Sequence, residues 1–336
     1  MALPDWARAY GAPLFPAVIR SQPDEFDVTE ELGFEFSGDG EHDLLFVEKT
    51  GANTEWVSRQ LAGHANVPAR NVGYAGLKDR HAVTRQWFSV PRWHAPDWDR
   101  LEADGVRVLD QHRHNRKLRR GAHKGNRFRI RLRGPAGDTR AMDERLEIIR
   151  SEGVPNYFGE QRFGRGGSNV ALADAWSEGK RLPRHKRSIA ISAARSYLFN
   201  LILDRRVQEK TWNRIVPGDI ANLDGTGSVF QVDEVDDDLV RRCKEMDIHP
   251  AGPLFGDGTS APCPSADHAR WLQALANARV KGANRSLRLR VNDLAWSVAS
   301  DSLLLEFALG RGGFATSVLR EVAELTDGAH QARQHR

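Results

Sequence analysis

The chain has 336 residues, 40% of them hydrophobic and 28% charged, which excludes a disordered or fibrous protein and indicates a folded globular one. This length exceeds one ordinary hydrophobic core, so we expect two domains or one domain with a large insertion. The net charge of +4 is too small by itself to separate a nucleic-acid-binding protein from a basic metabolic enzyme.

Cysteine and histidine content argues against disulfide and metal chemistry. The two cysteines, Cys243 and Cys263, cannot form a disulfide framework or a CxxC zinc site, and the twelve histidines contain no HExxH pattern. The N-terminal residues lack a basic region followed by an apolar run, and no run of about 18 apolar residues occurs. We therefore expect a cytoplasmic protein without a metal ion.

The first predicted elements are short strands followed by a helix. Residues 27–29 and 44–49 flank a glycine-rich turn, SGDGEH, and this arrangement predicts a β-hairpin. Asn53 is a good N-cap, Trp56, Val57 and Leu61 recur at helical spacing, and Gly63 ends the pattern. The sequence therefore predicts a helix of about ten residues from this point.

A cluster of charged residues follows, in a loop between two predicted strands, NVGYAG and QWFSV. The loop, GLKDRHAVTR, places Asp79 among Lys78, Arg80, His81 and Arg85. An oriented aspartate can act as a nucleophile or a base, and its basic neighbours could bind phosphates. The same pattern fits an ordinary ion-pair cluster on a surface loop, so the residues alone leave both interpretations open.

Basic residues are concentrated between Arg107 and Arg133, where eleven of them face a single acid, Asp110. Such a segment is either a solvated surface or a site for an anionic partner, and the unrelieved repulsion favours a nucleic acid. Apolar and basic residues alternate from 127 to 133, which predicts a strand with Phe128 on its core face and arginines on the other.

The residues after this strand indicate a domain boundary. Residues 139–153 have the pattern of an amphipathic helix, and Pro155 with five glycines then interrupts all periodicity up to Gly167. Further helices are predicted at 191–209 and 268–282. The alternation of apolar and basic residues resumes at LRLRV, residues 287–291, which predicts a return to the first domain.

The boundary segment, NYFGEQRFGRGG, combines glycines, aromatic residues and the cations Arg162 and Arg165. This mixture suits base stacking with phosphate contact, and it equally suits an interdomain hinge. Its glycine spacing does not match the dinucleotide-binding pattern GxGxxG.

Five blocks of the sequence together resemble one known family. They are GYAGLKDRHAVTRQW, RKLRRGAHKGNRF, VPNYFGEQRFGRGGSN, ISAARSYLFN and GGFATSVLRE. Spread over residues 73–322, they occur in the order found in the TruD family of tRNA pseudouridine synthases. The resemblance implies isomerisation of uridine 13 in the D-arm of tRNA to pseudouridine, with no metal and no organic cofactor.

The resemblance also implies roles for four residues. Asp79 corresponds to the family's catalytic aspartate, which attacks the nucleoside, at the sugar or at the base, before the uracil rotates and rejoins through carbon. Phe128 corresponds to the aromatic residue that packs against the target base, and Asn126 to a polar residue lining the site. Arg20 stands where the family typically has a lysine paired with the aspartate, and an arginine can instead orient a carboxylate through two hydrogen bonds.

The family resemblance further implies an α+β fold with two lobes arranged as a V. We expect a catalytic domain with a mixed, largely antiparallel sheet, formed by residues 1–152 and 287–336, and an inserted α/β TRUD domain, residues 153–286. We expect a monomer that binds tRNA and no membrane. The predicted RNA-binding residues are Lys78, Arg80, His81, Arg85, Arg116, Lys117, Arg119, Arg120, Lys124, Arg127, Arg129, Arg162 and Arg165.

Two alternative functions differ from this prediction in what they require of Asp79. A non-catalytic RNA-binding or RNA-folding protein would not need that carboxylate. A nuclease would need further carboxylates to bind two metal ions, and none accompanies Asp79 in its loop. The intact block GLKDRHAVT favours the pseudouridine synthase.

Overall fold

The computed structural model describes residues 3–134 and 138–329, which contain both helices and strands. The strands, in chain order, are β1 (Phe15–Ile19), β2 (Phe26–Leu32), β3 (His42–Thr50), β4 (Gly73–Tyr74), β5 (Val83–Pro91), β6 (Val106–His114), β7 (His123–Arg133), β8 (Val154–Pro155), β9 (Ile220–Leu223), β10 (Val229–Gln231), β11 (Ile248–Leu254), β12 (Ala283–Ser286), β13 (Arg288–Leu289), β14 (Asn292–Ala299), β15 (Ser302–Gly310) and β16 (Ala323–Asp327). The helices are α1 (Thr54–His64), α2 (Thr139–Glu152), α3 (Ser168–Ser177), α4 (Arg184–Gln208), α5 (Asp237–Lys244), α6 (Ala269–Asn277) and α7 (Ala315–Leu319).

One compact unit, which we call the sheet unit, comprises described residues 13–134, 138–143, 291–313 and 323–329. Ten strands form its sheet, in the order β14, β15, β7, β2, β5, β3, β6, with β1 joined to β7 and β16 and with β4 joined to β5. Among these strands, β2 with β5 and β1 with β16 pair in parallel, and the other neighbours are antiparallel. The prediction of a mixed, largely antiparallel sheet is therefore confirmed.

The predicted hairpin between β2 and β3 is wrong. These strands do not pair, because β5 lies between them, parallel to β2 and antiparallel to β3. The intervening residues 33–41 are long enough to connect strands that are not neighbours, and hydrophobic alternation locates a strand without identifying its partners.

Helix α1 covers one face of this sheet. Its N-cap, Asn53, accepts a hydrogen bond from the backbone N–H of Trp56 at 2.7 Å, which satisfies one of the free donors of the first turn. Val57 and Leu61 are fully buried in a core that α1 shares with β3 and β5. The predicted helix is confirmed, and it places Thr54 beside the loop that carries Asp79.

Strand β7 alternates as predicted, with Phe128, Ile130 and Leu132 buried. Three of its four arginines, however, have acidic partners on other strands and turns, because the strand pairing brings distant acids close to them, whereas Arg131 donates to the hydroxyl of Ser302 at 3.1 Å. The ion pairs are Arg127 with Glu31 and Asp293, Arg129 with Glu306, and Arg133 with Glu25 and Asp301. The expectation that these cations lack acidic partners is therefore wrong for this strand.

The second compact unit, which we call the helical unit, comprises described residues 3–12, 144–290 and 314–322. Its longest element, α4, covers residues 191–208 of the predicted helix 191–209 and begins seven residues earlier, at Arg184. The predicted helix 268–282 is shorter in the structure, where α6 ends at Asn277. A four-stranded antiparallel sheet, in the order β10, β9, β11, β12, completes the unit around a core that includes Phe199 and Trp271.

The segment LRLRV does not return to the large sheet. Its strand β13 pairs with β8 within the helical unit, and the chain rejoins the large sheet at β14. Arg288 is buried, and its guanidinium donates to the carbonyls of Cys243 at 2.6 Å and Ile248 at 3.0 Å and to Nδ1 of His249 at 2.8 Å. Unlike the arginines of β7, Arg288 is therefore an internal cation whose charge is satisfied largely by backbone carbonyls.

The first and last segments of the helical unit, residues 3–12 and 314–322, both contact Tyr157. Trp6 stacks on Tyr157 with ring centroids 6.0 Å apart, and the hydroxyl of Ser317 in α7 donates to the carbonyl of Tyr157 at 2.9 Å. These contacts place residues 3–12 and 314–322 with the helical unit. The two predicted functional domains, residues 1–152 with 287–336 and residues 153–286, stay a prediction. No helix in the described ranges is long and apolar enough to cross a membrane.

Candidate active site

Asp79 lies in the loop between β4 and β5, as predicted. Its side chain is 31% exposed, so a substrate can reach its carboxylate. One carboxylate oxygen, Oδ1, accepts the backbone N–H of His81 at 3.0 Å, and the other, Oδ2, accepts from the guanidinium of Arg20. The carboxylate of Asp79 is therefore both accessible and held in a single orientation.

Arg20 connects Asp79 to the last described strand. Its second terminal nitrogen donates to Asp327 at 2.6 Å, and its side chain is only 8% exposed. The parallel pairing of β1 with β16 sets Ile19 opposite Asp327, which brings this acid beside Arg20. The contact between Arg20 and Asp79 that the resemblance implied is therefore present.

Arg20 is held at a conformational cost. Its φ of 58° lies in the left-handed region, which a residue with a side chain seldom adopts, and its Nε is buried without a hydrogen-bond partner. The guanidinium also lies over the ring of Phe26 at 5.3 Å from the centroid. Strain that the surroundings maintain in this way is typical of functional positions.

Lys49 fixes the backbone of the loop that carries Asp79. Its fully buried ammonium donates to the carbonyl of Asp79 at 2.7 Å and to the carbonyl of Ala52 at 2.8 Å. Burial lowers the pKa of Lys49 to about 8, against the opposing effect of the negative charge on Asp79. This contact fixes the position, relative to β3, of residues 75–82, which we call the catalytic loop because the family resemblance predicts catalysis by Asp79.

Further hydrogen bonds fix the residue before Asp79. The backbone N–H of Lys78 donates to the hydroxyl of Thr54 at 2.9 Å, and that hydroxyl donates to Gln86 at 2.9 Å. The ammonium of Lys78 pairs with the buried carboxylate of Glu30. Because the side chain of Lys78 is 7% exposed, this geometry favours a positioning role, and its predicted contact with RNA stays a prediction.

The other basic residues predicted for the loop also have protein partners, and one of them, Arg85, lies on β5 and not in the loop. Arg80 is exposed and donates through Nε to the carbonyl of Gly51 at 2.8 Å. Arg85 pairs with Asp27 and Glu48 on the neighbouring strands. Their predicted contacts with RNA, like that of His81, are untested.

Phe128 and Asn126 lie on one face of β7, and their neighbours connect them to Asp79. Phe128 stacks on Phe307 with centroids 5.3 Å apart and meets the edge of Phe26, the ring below Arg20, at 6.5 Å. The side-chain oxygen of Asn126 is buried without a hydrogen-bond partner. A buried acceptor without a donor is costly, so a ligand that donates a hydrogen bond would fit this position.

The β7 arginines occupy the opposite face of that strand, because successive side chains point to opposite sides. Arg127 and Arg129 therefore cannot contact the same nucleotide as Phe128. Arg127 and Arg129 pair with Glu31 and Glu306 respectively. Their predicted role in RNA binding stays a prediction, and the geometry does not bring them to Asp79.

A second group of cations does lie beside the catalytic loop. The connection between β6 and β7 carries four exposed basic residues that form no ion pair within the described residues: Arg116, Lys117, Arg119 and Arg120. The N–H of Gly121 donates to the carbonyl of Ala75 at 2.8 Å, which ties this connection to the start of the catalytic loop. Lys124 is exposed at the start of β7, whereas Arg162 and Arg165 belong to the helical unit.

Three residues of this site escaped the sequence analysis. Lys49 and Glu30 are charged residues at buried strand positions, and an inward-facing charge in a strand pattern is the signal that could have identified them. Asp327 had no such signal, because only the pairing of β1 with β16 brings it to Arg20. In the described part of the chain, no group of three or more His, Cys, Asp or Glu could hold a metal ion.

Comparisons with known proteins agree on one family. The profile described as tRNA pseudouridine synthase D (TruD) matches residues 9–172 and 168–322. The tRNA pseudouridine synthase D of Nitrosococcus oceani is 45% identical over 96% of this chain and 95% of its own, and that of Methylococcus capsulatus is 45% identical over 95% and 94%. A crystal structure assigned to TruD from Methanosarcina mazei superimposes with a TM-score of 0.73 at 20% identity, covering 96% of this chain and 97% of that one, which shows a shared fold.

The buried ammonium of Lys49 predicts a pH dependence of stability. Its pKa is lowered from 10.5 to about 8 in the folded chain, so between these values the unfolded chain binds the additional proton. The free energy of unfolding should therefore rise with pH in this window, and Lys49→Met should remove about 2 kcal/mol of that rise. Urea unfolding of both proteins near pH 8 and pH 10 measures the difference, and parallel pH profiles would contradict it.

The hydroxyl of Thr54 predicts local order in the catalytic loop. Thr54→Val keeps the shape of the side chain and leaves the N–H of Lys78 without an acceptor. Amide hydrogen exchange over residues 76–81 should become roughly tenfold faster, since a lost buried hydrogen bond costs about 1–3 kcal/mol. The matched control is Thr50→Val, at an exposed position; equal exchange in the two variants would refute the role of Thr54.

Proposed function

The chain belongs to the TruD family of tRNA pseudouridine synthases, and on that premise we propose that it converts uridine 13 in the D-arm of tRNA to pseudouridine with Asp79 as nucleophile. The family activity is an isomerisation of uridine in tRNA. The observation that carries the proposal is the accessible carboxylate of Asp79, oriented by Arg20 and by the N–H of His81. We also propose the cytoplasm as its location, where tRNA is modified.

Asp79 acts on the nucleoside in the proposed reaction. Its carboxylate attacks, the bond between N1 of uracil and C1′ of ribose breaks, and the uracil turns so that C5 forms the new bond to C1′. The bond between Asp79 and the nucleoside breaks as C1′ bonds to C5, the proton on C5 leaves and N1 takes up a proton, so product and substrate have the same composition. Arg20 and the N–H of His81 hold the carboxylate in the attacking orientation, which removes an entropic part of the barrier.

Phe128 and Asn126 receive the uracil in this proposal. The flat apolar ring of Phe128 stacks on the face of the base and makes no hydrogen bond that would fix its edges. The unpaired side-chain oxygen of Asn126 accepts a hydrogen bond from N3–H of the uracil, which supplies the missing donor. These two contacts hold a free uracil in place between bond breaking and bond formation.

The uridine must leave the helical stack before it can reach Asp79, at a cost of a few kcal/mol. Phosphate contacts can offset that cost, and the unpaired cations of the connection between β6 and β7 lie beside the catalytic loop. We propose that Arg116, Lys117, Arg119 and Arg120 bind phosphates flanking the uridine. The non-catalytic alternative gives no role to the accessible and oriented carboxylate of Asp79.

Asp79→Asn tests the nucleophile. The amide keeps the size of the side chain and removes the attacking charge, so pseudouridine formation in tRNA should fall by at least about 10³-fold while the Kd for tRNA stays within a few fold. Pseudouridine is measured by mass spectrometry of tRNA digests after single-turnover incubation. Asp104→Asn, at an exposed position of the same unit, is the control, and undiminished turnover in Asp79→Asn would remove Asp79 from the mechanism.

Substitutions of Arg20 test whether this residue positions the carboxylate of Asp79. Arg20→Lys retains one cation but cannot bridge Asp79 and Asp327 with a planar fork, so kcat should fall by about tenfold. Arg20→Met retains the length of the side chain without charge, and kcat should fall by roughly 10²-fold or more at unchanged tRNA affinity. A loss confined to KM in both variants would show that Arg20 binds RNA and does not position Asp79.

A further inference from the structure

A cavity beside α4, in the unit that does not contain Asp79, has the composition of an anion site. Its volume is about 360 Å³, and three serines spaced four residues apart on α4 line it together with two arginines. These residues are Ser188, Ser192, Ser196, Arg162 and Arg195. Hydroxyl and guanidinium donors that converge on one cavity are typical of phosphate recognition.

The two arginines of the cavity have no acidic partner within the described residues. Arg162 donates to the hydroxyl of Ser192 at 2.9 Å. Arg195 donates to the carbonyls of Leu254 at 2.9 Å and Lys281 at 3.0 Å, and its Nε is buried without a partner. Burial lowers the pKa of both guanidinium groups, which means that the surroundings disfavour their charges.

A third guanidinium adds to this excess of positive charge. Arg285 stacks over Phe158, a wall of the cavity, at 4.2 Å from the ring centroid. Burial, together with the charge on Arg162, lowers the pKa of Arg285 to about 9. An anion in the cavity would relieve this repulsion and would satisfy the free donor of Arg195.

The cavity continues into a basic run that the sequence analysis overlooked. From residue 179 to residue 203 the chain has no acid, and Lys180, Arg181, Arg184, Lys186 and Arg187 are all exposed. None of these five forms an ion pair within the ranges that the structure describes. One side of α4 carries residues at helical spacing, namely 184, 187, 188, 191 and 195. Since three of them line the cavity, Arg184 and Arg187 extend its lining toward the start of the helix.

This arrangement opposes the electrostatics of the helix itself. The N-terminus of α4 carries the positive end of the helix dipole, and its first turn contains basic residues and no acid. Charges placed in this way destabilise the isolated helix and favour a bound anion. Arg127, Arg129 and Arg133 of β7 differ, because acids on other strands and turns already pair with them.

We propose that Arg162, Arg195 and the serines of the cavity hold one phosphate of tRNA, and that Arg181, Arg184 and Arg187 hold adjacent phosphates of the same strand. The proposal rests on the proposed function, because it takes the substrate tRNA as the ligand. A sugar–phosphate backbone fits better than an acidic protein segment, since serine hydroxyls and guanidinium forks together match phosphate oxygens. The apolar walls, Phe158, Ile191 and Leu254, pack against the ribose.

The basic run is tested by Arg181→Gln/Arg184→Gln/Arg187→Gln in the full-length chain. All three positions are exposed, so the substitution should leave the fold intact. Fluorescence anisotropy with unmodified tRNA measures Kd at several salt concentrations. The slope of log Kd against log salt should be lower by about 2 to 3 in the triple variant than in the wild type, since each lost phosphate contact removes about 0.9 from the slope. The control, Arg205→Gln/Lys210→Gln/Arg214→Gln, removes three exposed charges at the other end of α4 and beyond it, and its slope should stay that of the wild type.

The cavity is tested by a carboxylate placed inside it. Ser192→Asp would set an acid within reach of Arg162 and occupy the site intended for a phosphate, so tRNA affinity should fall by about tenfold or more. Ser192→Ala removes one hydroxyl without adding charge, and the affinity should stay within about threefold. Circular dichroism of both variants verifies that α4 is retained.

The outcomes separate this proposal from the proposed function. Both proposals are supported if the wild type binds tRNA and forms pseudouridine, the triple variant has the reduced salt slope and Ser192→Asp has the reduced tRNA affinity. If the wild type modifies tRNA but the triple variant has the salt slope of its control and Ser192→Asp binds normally, the site on α4 is refuted while the enzyme stands. If the same variants instead lose a protein partner and keep full tRNA affinity, the surface binds protein and the proposal is equally overturned.

Discussion

A buried guanidinium shared by two carboxylates, Arg20 between Asp79 and Asp327, is the interaction on which the candidate site depends. It joins the loop after β4 to the pair formed by β1 and β16, which are the first and last described strands of the chain. The large sheet must be complete before this contact can form. The left-handed backbone of Arg20 and its unpartnered Nε are the conformational cost, and the hydrogen bonds of the loop to Lys49 and Thr54 offset it.

The distribution of paired and unpaired cations distinguishes structural charges from candidate binding charges. On β7, Arg127, Arg129 and Arg133 pair with acids of other strands and turns, so protein groups already balance these charges on the exposed face of the sheet. In the connection between β6 and β7 and along the first turns of α4, exposed cations have no acidic partner in the described residues. Counting charges along the sequence treats these three groups alike. The three-dimensional pairing separates them, and it is the unpaired groups that a polyanion can neutralise.

Local features of the fold could be predicted from the sequence, and long-range pairing could not. Helix α1 follows from the Asn53 cap and its apolar spacing, and β7 follows from strict alternation. The insertion of β5 between β2 and β3 and the burial of Arg288 depend on which distant segments meet, which no local pattern specifies. In the site, Asp79 stands out as a carboxylate among cations, whereas Lys49 and Glu30 resemble ordinary surface charges until the strands that bury them are assembled.

The central claim is that Asp79 reaches a uridine that is stacked on Phe128, and a structure of the Asp79→Asn variant bound to unmodified tRNA tests it most directly. The account predicts one uridine outside the helical stack, its base against Phe128 and its N3–H on the side-chain oxygen of Asn126. The side chain at position 79 should then lie within about 3.5 Å of a reacting carbon of that nucleoside. A uridine bound beside another carboxylate, or a residue 79 turned away from the nucleoside, would contradict the account.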